Sequence, residues 1–362
     1  MTTGKKPRVV VAMSGGVDSS VAAALLVEQG YDVVGMMLRL WSEDGGAANR
    51  CCTLDAIDDA RAIAGMLGIP FYVRDYKDIF KKIIVDPFIE AYAAGQTPNP
   101  CLTCNRVIRF EMLLNEALAL GAEYLVTGHY ARVRQNESGE WELWRGIDPT
   151  KDQSYVLHSL NQQNLPHVFF PLGEYTKEQV RKMAEDFDLP VFNKPDSQDL
   201  CFSGDGGYRG FLRRNAPETL IPGEIVDTRG NVLGEHSGLP NYTIGQRKGL
   251  GIYRPEPTFV IALDPAHNRV IVGSRAELGR DELTAHSVSY VSGKPPAEPI
   301  RVQAKIRYKS RPVPATVTPL ANNRLHAKFD SPLPDITPGQ GFVFYDGDKV
   351  LGGGTIEIAN SE

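Results

Sequence analysis

The sequence predicts an α/β domain built on a parallel sheet, followed by a small central domain and a β-barrel. Three observations lead to this fold class. Up to about residue 130, short β-branched runs alternate with helical periodicity, which is typical of a parallel sheet covered by helices. Beyond residue 190, glycine, proline and short β runs dominate, and the frequent turns after residue 286 suit a small barrel. The 362 residues are enough for two or three domains, which we expect at 1–205, 206–278 and 279–362.

The elements of the first domain follow from the alternation of apolar runs and glycines. The first strand is the valine run at 9–11, and Gly30 ends the helix that follows it. The remaining elements expected there are strands at 32–38, 71–73 and 124–127 and helices at 54–67, 77–93 and 108–120.

Later in the chain the pattern indicates hairpins and shorter helices. Strands at 132–134 and 141–144 flank a turn at 136–139. The other expected elements are helices at 154–160, 177–187 and 209–214 and hairpins at 223–233 and 259–272.

Composition and charge restrict the class of protein. The net charge is −5, so any binding to nucleic acid must use local basic patches. Residues 1–7 are polar and basic, with no apolar secretory segment behind them, and no apolar run has the length of a membrane span. We therefore expect a cytoplasmic protein with no membrane partner. Its five cysteines indicate thiol chemistry or metal binding rather than structural disulfides.

The segment Ser14-Gly15-Gly16-Val17-Asp18-Ser19 connects the first strand to the first helix. Glycines let the backbone approach an anion closely, and the first N–H groups of the helix point at it. Asp18 is a candidate ligand for a phosphate-bound Mg²⁺. The segment lacks the lysine of the common phosphate loop and the Gly-x-Gly-x-x-Gly pattern of dinucleotide sites. A turn that merely connects two elements is the alternative, but the valine strand, Asp18 and the serines at the helix start favour a nucleotide site.

This loop resembles the pyrophosphate loop of enzymes that split ATP into AMP and pyrophosphate. Ligands of parallel sheets sit at the carboxyl ends of strands, which adds the ends of the second and fourth strands to the site. The candidate ATP-binding residues are Ala12, Met13, Ser14, Gly15, Gly16, Val17, Asp18, Ser19, Leu38 and Gly128.

Three cysteines lie in segments that suggest chemistry. Cys101 and Cys104 form a Cys-x-x-Cys pair at the end of a proline-rich loop, just before the expected helix, and Cys201 lies far downstream. A helix N-terminus stabilises a nearby thiolate and raises its reactivity. The loop is too long and proline-rich for a thioredoxin-like redox motif. A zinc site of Cys51, Cys52, Cys101 and Cys104 stays open as an alternative, whereas Cys51 and Cys52 by default are small buried side chains without a role.

Several motifs occur in a specific order along the chain. They are the Ser14–Ser19 loop, Thr97-Pro98-Asn99-Pro100 with Cys104-Asn105, Thr127-Gly128-His129-Tyr130, Lys151-Asp152-Gln153-Ser154 and Asp196-Ser197 with Cys201-Phe202. Together they resemble the tRNA-specific 2-thiouridylases, and the similarity continues through 241–251, 305–308 and 337–340, so it covers about residues 8–358. The resemblance implies an N-terminal ATP pyrophosphatase domain, a small central domain and a C-terminal β-barrel.

The resemblance also implies a mechanism and its partners. ATP, with Mg²⁺, adenylates the wobble uridine of tRNA and releases pyrophosphate. Cys201 carries a persulfide received from a cysteine desulfurase or a sulfur-relay protein, and Cys104 is the second nucleophile, which leaves a Cys104–Cys201 disulfide. Many family members have Asp where this chain has Cys101, whereas others have Cys there and so carry three cysteines near the reaction centre. Cys101, Cys104 and Cys201 are therefore also candidate ligands of an iron–sulfur cluster.

The RNA contacts implied by the resemblance fall into two groups. Asn99, Pro100 and Cys101 line the pocket of the target base, with His129 beside it. The tRNA contacts are Lys151, Asp152, Gln153, Arg307, Tyr308 and Gln340. From the residues alone, 151–153 could equally be a solvated turn capped by Ser154, and His129 a structural histidine.

A basic stripe is expected in the barrel. The cationic residues between 301 and 311 are all odd-numbered, so a strand would place them on one face. Such a face suits the binding of phosphates. The alternative is the solvent face of an edge strand, where lysines discourage aggregation. On the helix at 209–214, Arg209 and Arg213 lie one turn apart and suggest a second contact with the tRNA backbone.

Two other functions share part of this pattern. Another AMP-forming ligase would use the Ser14–Ser19 loop but gives no reason for Cys104 and Cys201. A non-catalytic nucleotide- or RNA-binding protein would bind ATP without releasing pyrophosphate.

Overall fold

The structure, a computed structural model, describes residues 6–41, 54–195 and 200–357. The strands are β1 (Arg8–Ala12), β2 (Asp32–Arg39), β3 (Phe71–Asp75), β4 (Tyr124–Val126), β5 (Ala131–Gln135), β6 (Trp141–Arg145), β7 (Val168–Phe169), β8 (Gly223–Asp227), β9 (Val232–His236), β10 (Phe259–Asp264), β11 (Arg269–Gly273), β12 (Arg280–Tyr290), β13 (Ile300–Lys305), β14 (Val313–Leu320), β15 (Arg324–Leu333), β16 (Gly341–Asp346) and β17 (Lys349–Glu357). The α-helices are α1 (Val17–Glu28), α2 (Leu54–Met66), α3 (Lys77–Phe80), α4 (Asp86–Ala93), α5 (Pro100–Thr103), α6 (Leu114–Ala119), α7 (Lys177–Asp186), α8 (Gly207–Asn215) and α9 (Arg275–Leu278).

The first domain contains a parallel sheet, as the sequence predicts, with five strands in the order β3-β2-β1-β4-β7. Val9 and Val11 face one buried cluster while Val10 faces the other, so both faces of β1 are covered. A strand buried on both sides reads as a continuous apolar run, which is why β1 is a run of valines. The short edge strand β7 was not predicted, because its two residues are too few to show the alternation of side chains that marks a strand.

The helical segment that carries Cys101 and Cys104 begins earlier than predicted. Helical structure was expected from residue 108, but it starts at α5 and continues through a π-helical segment, Cys104–Leu113, into α6. Asn99 is the N-cap, since its side-chain oxygen accepts a hydrogen bond from the N–H of Cys101 at 3.2 Å, and Pro100 occupies the first helical position. Both cysteines therefore lie inside this segment, which we call the cysteine helix (residues 100–119). The expected helix at 77–93 is α3 and α4 joined by a π-helical segment, Lys81–Val85.

The barrel closes through six antiparallel strands in the order β12-β15-β14-β13-β16-β17, with β17 paired back to β12. The predicted hairpin β5–β6 is confirmed, but it does not join the parallel sheet. Its strand β6 pairs with β17 of the barrel, with Leu143 opposite Val350. The hairpin therefore fastens the first domain to the barrel.

The central sheet has the order β10-β11-β8-β9 and contains both predicted hairpins. The helix expected at 154–160 is only a 3₁₀ turn, Ser154–Leu157. This turn packs inside the protein, because Tyr155 is fully buried and donates a hydrogen bond to the carbonyl oxygen of Gly341 at 2.8 Å. Among the helices of the described ranges, none is long and apolar enough to cross a membrane.

Candidate functional site

The Ser14–Ser19 loop folds tightly over the start of α1. The hydroxyl of Ser19 accepts a hydrogen bond from the N–H of Ser14 at 3.1 Å, and the hydroxyl of Ser20 donates to the carbonyl of Gly16 at 2.8 Å. Gly15 has a φ of +68°, and a Cβ there would lie 2.4 Å from the carbonyl oxygen of Ala56 in α2. The loop is thus held between its own hydroxyls and α2, and the N-terminus of α1 has no side-chain cap, which is the arrangement expected of an anion site.

The expected convergence at the strand ends is visible for Gly128. A Cβ on Gly128 would lie 2.9 Å from the carbonyl carbon of Asp18 and from the nitrogen of Ser19, so the strand end after β4 packs directly on the loop. Leu38 lies near the end of β2, the strand next to β1. Their roles in binding ATP remain predictions.

Three side chains at this loop were missed by the sequence analysis. Asp18 Oδ1 accepts hydrogen bonds from Lys177 Nζ and from the hydroxyl of Tyr130, each at 2.7 Å. Lys194 Nζ donates to the carbonyl of Gly15 and pairs with Asp59, each at 2.8 Å. Nothing local in the sequence signals these contacts, because Lys177 is 159 residues away from Asp18 and only the fold brings them together.

Cys104 and Cys201 meet in one apolar cluster. Cys104 is buried in it together with Phe88, Phe202 and Phe211, and the half-buried Cys201 packs against it. Phe202 and Phe211 contact each other edge to face, with ring centroids 5.0 Å apart. The structure thus places both predicted catalytic cysteines in or against the same apolar cluster. The neighbouring motif residues 196–199, like Cys51 and Cys52, lie outside the described residues.

Cys101 differs from these two cysteines because it is exposed. Within the described part of the chain, which includes Cys101, Cys104 and Cys201, no group of three or more His, Cys, Asp or Glu residues is arranged to hold a metal. The three thiols are therefore not gathered around a single metal ion, and we derive no step through an iron–sulfur cluster.

The predicted RNA-contacting residues meet at the junction between the first domain and the barrel. The hydroxyl of Tyr308 donates to the carbonyl of Asp152 at 3.1 Å, and Gln153 Oε1 accepts from the N–H of Tyr130 at 3.0 Å. Gln340 Nε2 donates to the carbonyl of Thr97 at 2.8 Å, just before the Asn99 cap. The 151–153 segment therefore holds a fixed position between Tyr130 of the first domain and Tyr308 of the barrel.

His129 lies between Phe110 and Phe170 and next to Thr127, whose hydroxyl is 2.7 Å from Nδ1. Burial, together with the charge of Arg109, lowers the pKa of His129 to about 3. The imidazole is therefore neutral at neutral pH and can accept or donate a hydrogen bond without carrying charge.

The expected basic stripe is only partly correct. Residues 301, 303 and 305 do share the outer face of β13, but the strand ends at Lys305, so residues 307–311 do not continue the stripe. Arg301 is neutralised by a two-point contact with Asp330 at 2.8 and 2.7 Å. Arg307 is instead held between the central domain and the barrel, because it donates to the carbonyl of Ile244 at 3.0 Å and to the hydroxyl of Thr337 at 2.6 Å.

Comparison with known proteins covers nearly the whole chain. Family models described as tRNA methyl transferase HUP domain, tRNA methyl transferase PRC-barrel domain and Aminomethyltransferase beta-barrel domain match residues 7–205, 209–274 and 280–356. A tRNA-specific 2-thiouridylase MnmA of Magnetococcus marinus is 52% identical over 96% of this chain and 98% of its own length. Proteins of the same name from Moorella thermoacetica and Acetivibrio thermocellus are 51% and 45% identical, over 96% and 97% of this chain and 99% of their own lengths. The chain belongs to the tRNA-specific 2-thiouridylase family. Membership confirms the resemblance on which the sequence analysis relied.

In this 2-thiouridylase family member, Lys177→Met should weaken ATP use. The substitution keeps most of the apolar stem but leaves the Asp18 carboxylate without its cationic partner beside the Ser14–Ser19 loop. We expect the KM for ATP to rise about tenfold, the loss of one charge-assisted contact. Pyrophosphate release measured against ATP concentration checks this. Lys182→Met on the same helix is the matched control, since Lys182 is exposed and pairs with Asp186. An unchanged KM for Lys177→Met would show that Lys177 only supports the fold.

Proposed function

We propose that the protein catalyses ATP-dependent 2-thiolation of the wobble uridine in tRNA, with release of AMP and pyrophosphate. The observation that carries this proposal is the identity of about half of all residues, over nearly full length, with curated tRNA-specific 2-thiouridylases. The Ser14–Ser19 loop at the start of α1, and the location of Cys104 and Cys201 at one apolar cluster, are consistent with it. The reaction takes place in the cytoplasm, and the chain divides functionally at 1–205, 206–278 and 279–362.

The first step activates a poor leaving group. The 2-carbonyl oxygen of the uridine attacks the α-phosphorus of ATP, a P–O bond forms, and pyrophosphate leaves. The Ser14–Ser19 loop binds the departing pyrophosphate through backbone N–H groups, and Lys177 and Lys194, each paired with a carboxylate, hold Asp18 and the carbonyl of Gly15 in place beside it. Asp18 suits a phosphate-bound Mg²⁺, because its Oδ1 is occupied by Lys177 and Tyr130 while a carboxylate has a second oxygen. Such an ion neutralises phosphate charge.

The second step delivers sulfur. Cys201 carries a persulfide received from a cysteine desulfurase or a sulfur-relay protein. The Cys104 thiolate attacks the inner sulfur of that persulfide, so a Cys104–Cys201 disulfide forms and hydrosulfide leaves. Hydrosulfide adds to C2 of the adenylated uridine, AMP departs with the former carbonyl oxygen, and a proton is lost to solvent. An external thiol then reduces the disulfide. The shared aromatic cluster around the two cysteines supports this pairing.

The target uridine enters beside the N-terminal turn of the cysteine helix. Asn99, Pro100 and Cys101 line its pocket with His129 nearby, and neutral His129 can form a hydrogen bond to the base without adding charge. Lys151, Asp152, Gln153, Arg307, Tyr308 and Gln340 contact the surrounding tRNA. Their location at the junction of the domains is consistent with an RNA that touches all three.

The experiment incubates a tRNA transcript with ATP and a persulfide source and measures 2-thiouridine and pyrophosphate together. We expect both products, and we expect pyrophosphate release to require tRNA. Methyl transfer, which the description of the matching family model names, would need neither ATP cleavage nor a persulfide. Pyrophosphate without tRNA would indicate another AMP-forming ligase, and ATP binding without pyrophosphate would indicate a non-catalytic binding protein. Iron that co-purifies stoichiometrically and is required for activity would instead favour the cluster alternative.

A further inference from the structure

A cavity of about 240 Å³ lies between the cysteine helix, the helical segment at 77–93 and the barrel. Its walls include Asn99, Pro100 and Arg106 of the cysteine-helix region, His158 after the 3₁₀ turn, and a bulge of the barrel at 286–287. Cys101, Cys104 and the Ser14–Ser19 loop do not line it. The cavity is therefore separate from the nucleotide loop and from the cysteine pair, although it shares Asn99 and Pro100 with the proposed target-base pocket.

The inner part of the cavity is apolar apart from one buried histidine. Ile84, Phe88, Pro100 and Leu102 are buried and contribute flat or branched apolar walls. His158 is only 6% exposed, and its Nδ1 lies 3.0 Å from the carbonyl oxygen of Tyr155. Because a carbonyl oxygen can only accept, Nδ1 carries the proton and Nε2 presents a lone pair.

Within the described residues, the hydrogen bond of the His158 ring is made by Nδ1, and Nε2 is not among the fully buried polar atoms without a partner. Burial and the charge of Arg106 lower the pKa of His158 to about 4, so the ring stays a neutral acceptor at neutral pH. The barrel accommodates this ring closely: a Cβ on Gly353 would lie 2.5 Å from His158 Cδ2. Because His158 lines the cavity, a neutral Nε2 can accept a hydrogen bond from the N–H or O–H of a ligand bound there.

The mouth of the cavity is cationic and polar. Arg106 is exposed and makes no ion pair or hydrogen bond within the part of the chain that the structure describes. Across from the helix, the pairing of β12 with β17 shifts register between His286 and Ser289, and this bulge brings His286 and Ser287 to the rim. The cavity thus offers apolar walls and an acceptor inside and positive charge outside.

We propose that this cavity binds a second nucleotide of the RNA substrate, with its base inside and its phosphate at Arg106. A nucleobase is flat and apolar on its faces, carries N–H donors on its edge and is joined to a phosphate. These three features match the apolar walls of the cavity, the acceptor on His158 and the positive charge of Arg106 at its opening. The volume suits one base rather than a larger ligand. Single-stranded RNA loops are commonly bound by splaying bases into separate pockets. Because Asn99 and Pro100 line both pockets, the occupant is a nucleotide close to the target uridine in the loop. This identity of the RNA rests on the proposed function.

The test uses anticodon-loop hairpins that carry 2-aminopurine at one loop position at a time outside the target uridine. We expect binding to change the emission at one position, and we expect His158→Leu to remove that change. His158→Gln, which keeps an acceptor, should restore part of it. Arg106→Gln should raise the KM for tRNA about tenfold with kcat nearly unchanged, as expected for one lost contact between an arginine and a phosphate. Arg61→Gln, an exposed arginine on α2, is the matched control and should behave as wild type.

The outcomes separate this inference from the proposed function. If the wild type makes no 2-thiouridine, the proposed function fails. If the wild type thiolates tRNA but no 2-aminopurine position responds and Arg106→Gln keeps its KM, the cavity does not bind RNA. Competition experiments with free AMP and UMP test for a mononucleotide site. If either nucleotide binds the wild type but not His158→Leu, while both proteins bind tRNA equally well, the RNA assignment is wrong. Thermal unfolding of each variant reports folding, and Arg106→Gln, at an exposed position, decides the question should His158→Leu not fold.

Discussion

Cys104→Ser and Cys201→Ser should each abolish the formation of 2-thiouridine, with a loss of about 10³-fold or more in rate. Serine cannot carry a persulfide and is a far weaker nucleophile than a thiolate at neutral pH. Losses of this size are typical when a nucleophile that acts as a unit with its partner is removed. Since both cysteines share one aromatic cluster, the double variant should be no worse than either single variant. The measurement is 2-thiouridine formed per enzyme in nucleoside digests of the tRNA.

Pyrophosphate release provides the internal control for these variants. Adenylation uses no sulfur, so both serine variants should still release pyrophosphate when tRNA is present. Cys51→Ser, at a cysteine without an assigned role, should retain full thiolation. Cys101→Ser discriminates between two mechanisms. A decrease in thiolation rate within about tenfold fits a persulfide relay of Cys201 and Cys104. A decrease as large as that of the Cys104 and Cys201 variants would favour a cluster held by three thiolates. Full sulfur transfer by either Cys104→Ser or Cys201→Ser would contradict the relay.

Gly15→Ala should reduce ATP-dependent pyrophosphate release by at least about 100-fold. Alanine in the left-handed conformation at φ +68° costs about 1–2 kcal/mol, and its Cβ would also lie 2.4 Å from a backbone oxygen of α2. The contact can be relieved only by moving the backbone of α2 or the loop N–H groups that we propose bind phosphate. The two costs together amount to roughly 3 kcal/mol, or about two powers of ten. Single-turnover pyrophosphate release at saturating tRNA measures the effect.

Gly68→Ala is the control that separates backbone strain from contact. Gly68 has nearly the same conformation, φ +65°, but no atom lies within 4 Å of where its Cβ would be. This variant should lose about 1 kcal/mol of folding stability and keep its pyrophosphate release. If both variants release pyrophosphate equally well, then the close contact between Gly15 and α2 has no part in binding ATP.

Sequence reasoning predicted the layers of the fold because their signals are local. The valine run of β1, the glycine turn at Gly15 and the hairpin turns each depend on neighbouring residues, and the structure contains all of them. It was wrong about the start of the cysteine helix, because the proline-rich segment was read as a loop although Asn99 and Pro100 form a helix N-terminus. It was also wrong about the length of the basic stripe, since alternation alone does not show where a strand ends.

The sequence by itself determined the family and the glycine turn before α1, and it singled out the cysteines for which we propose a role, because these depend on residue types in a fixed order. Only the tertiary structure decided what surrounds them. Lys177 reaches Asp18 across 159 residues, Cys104 and Cys201 enter one aromatic cluster, and the hairpin β5–β6 pairs with the barrel instead of the sheet beside it. It also decided the neutral state of His158, which follows from burial against Gly353 and the nearby charge of Arg106. The physical reason is the same for these four features. Burial, charge pairing and strand pairing all depend on distances in space, which one sequence does not specify.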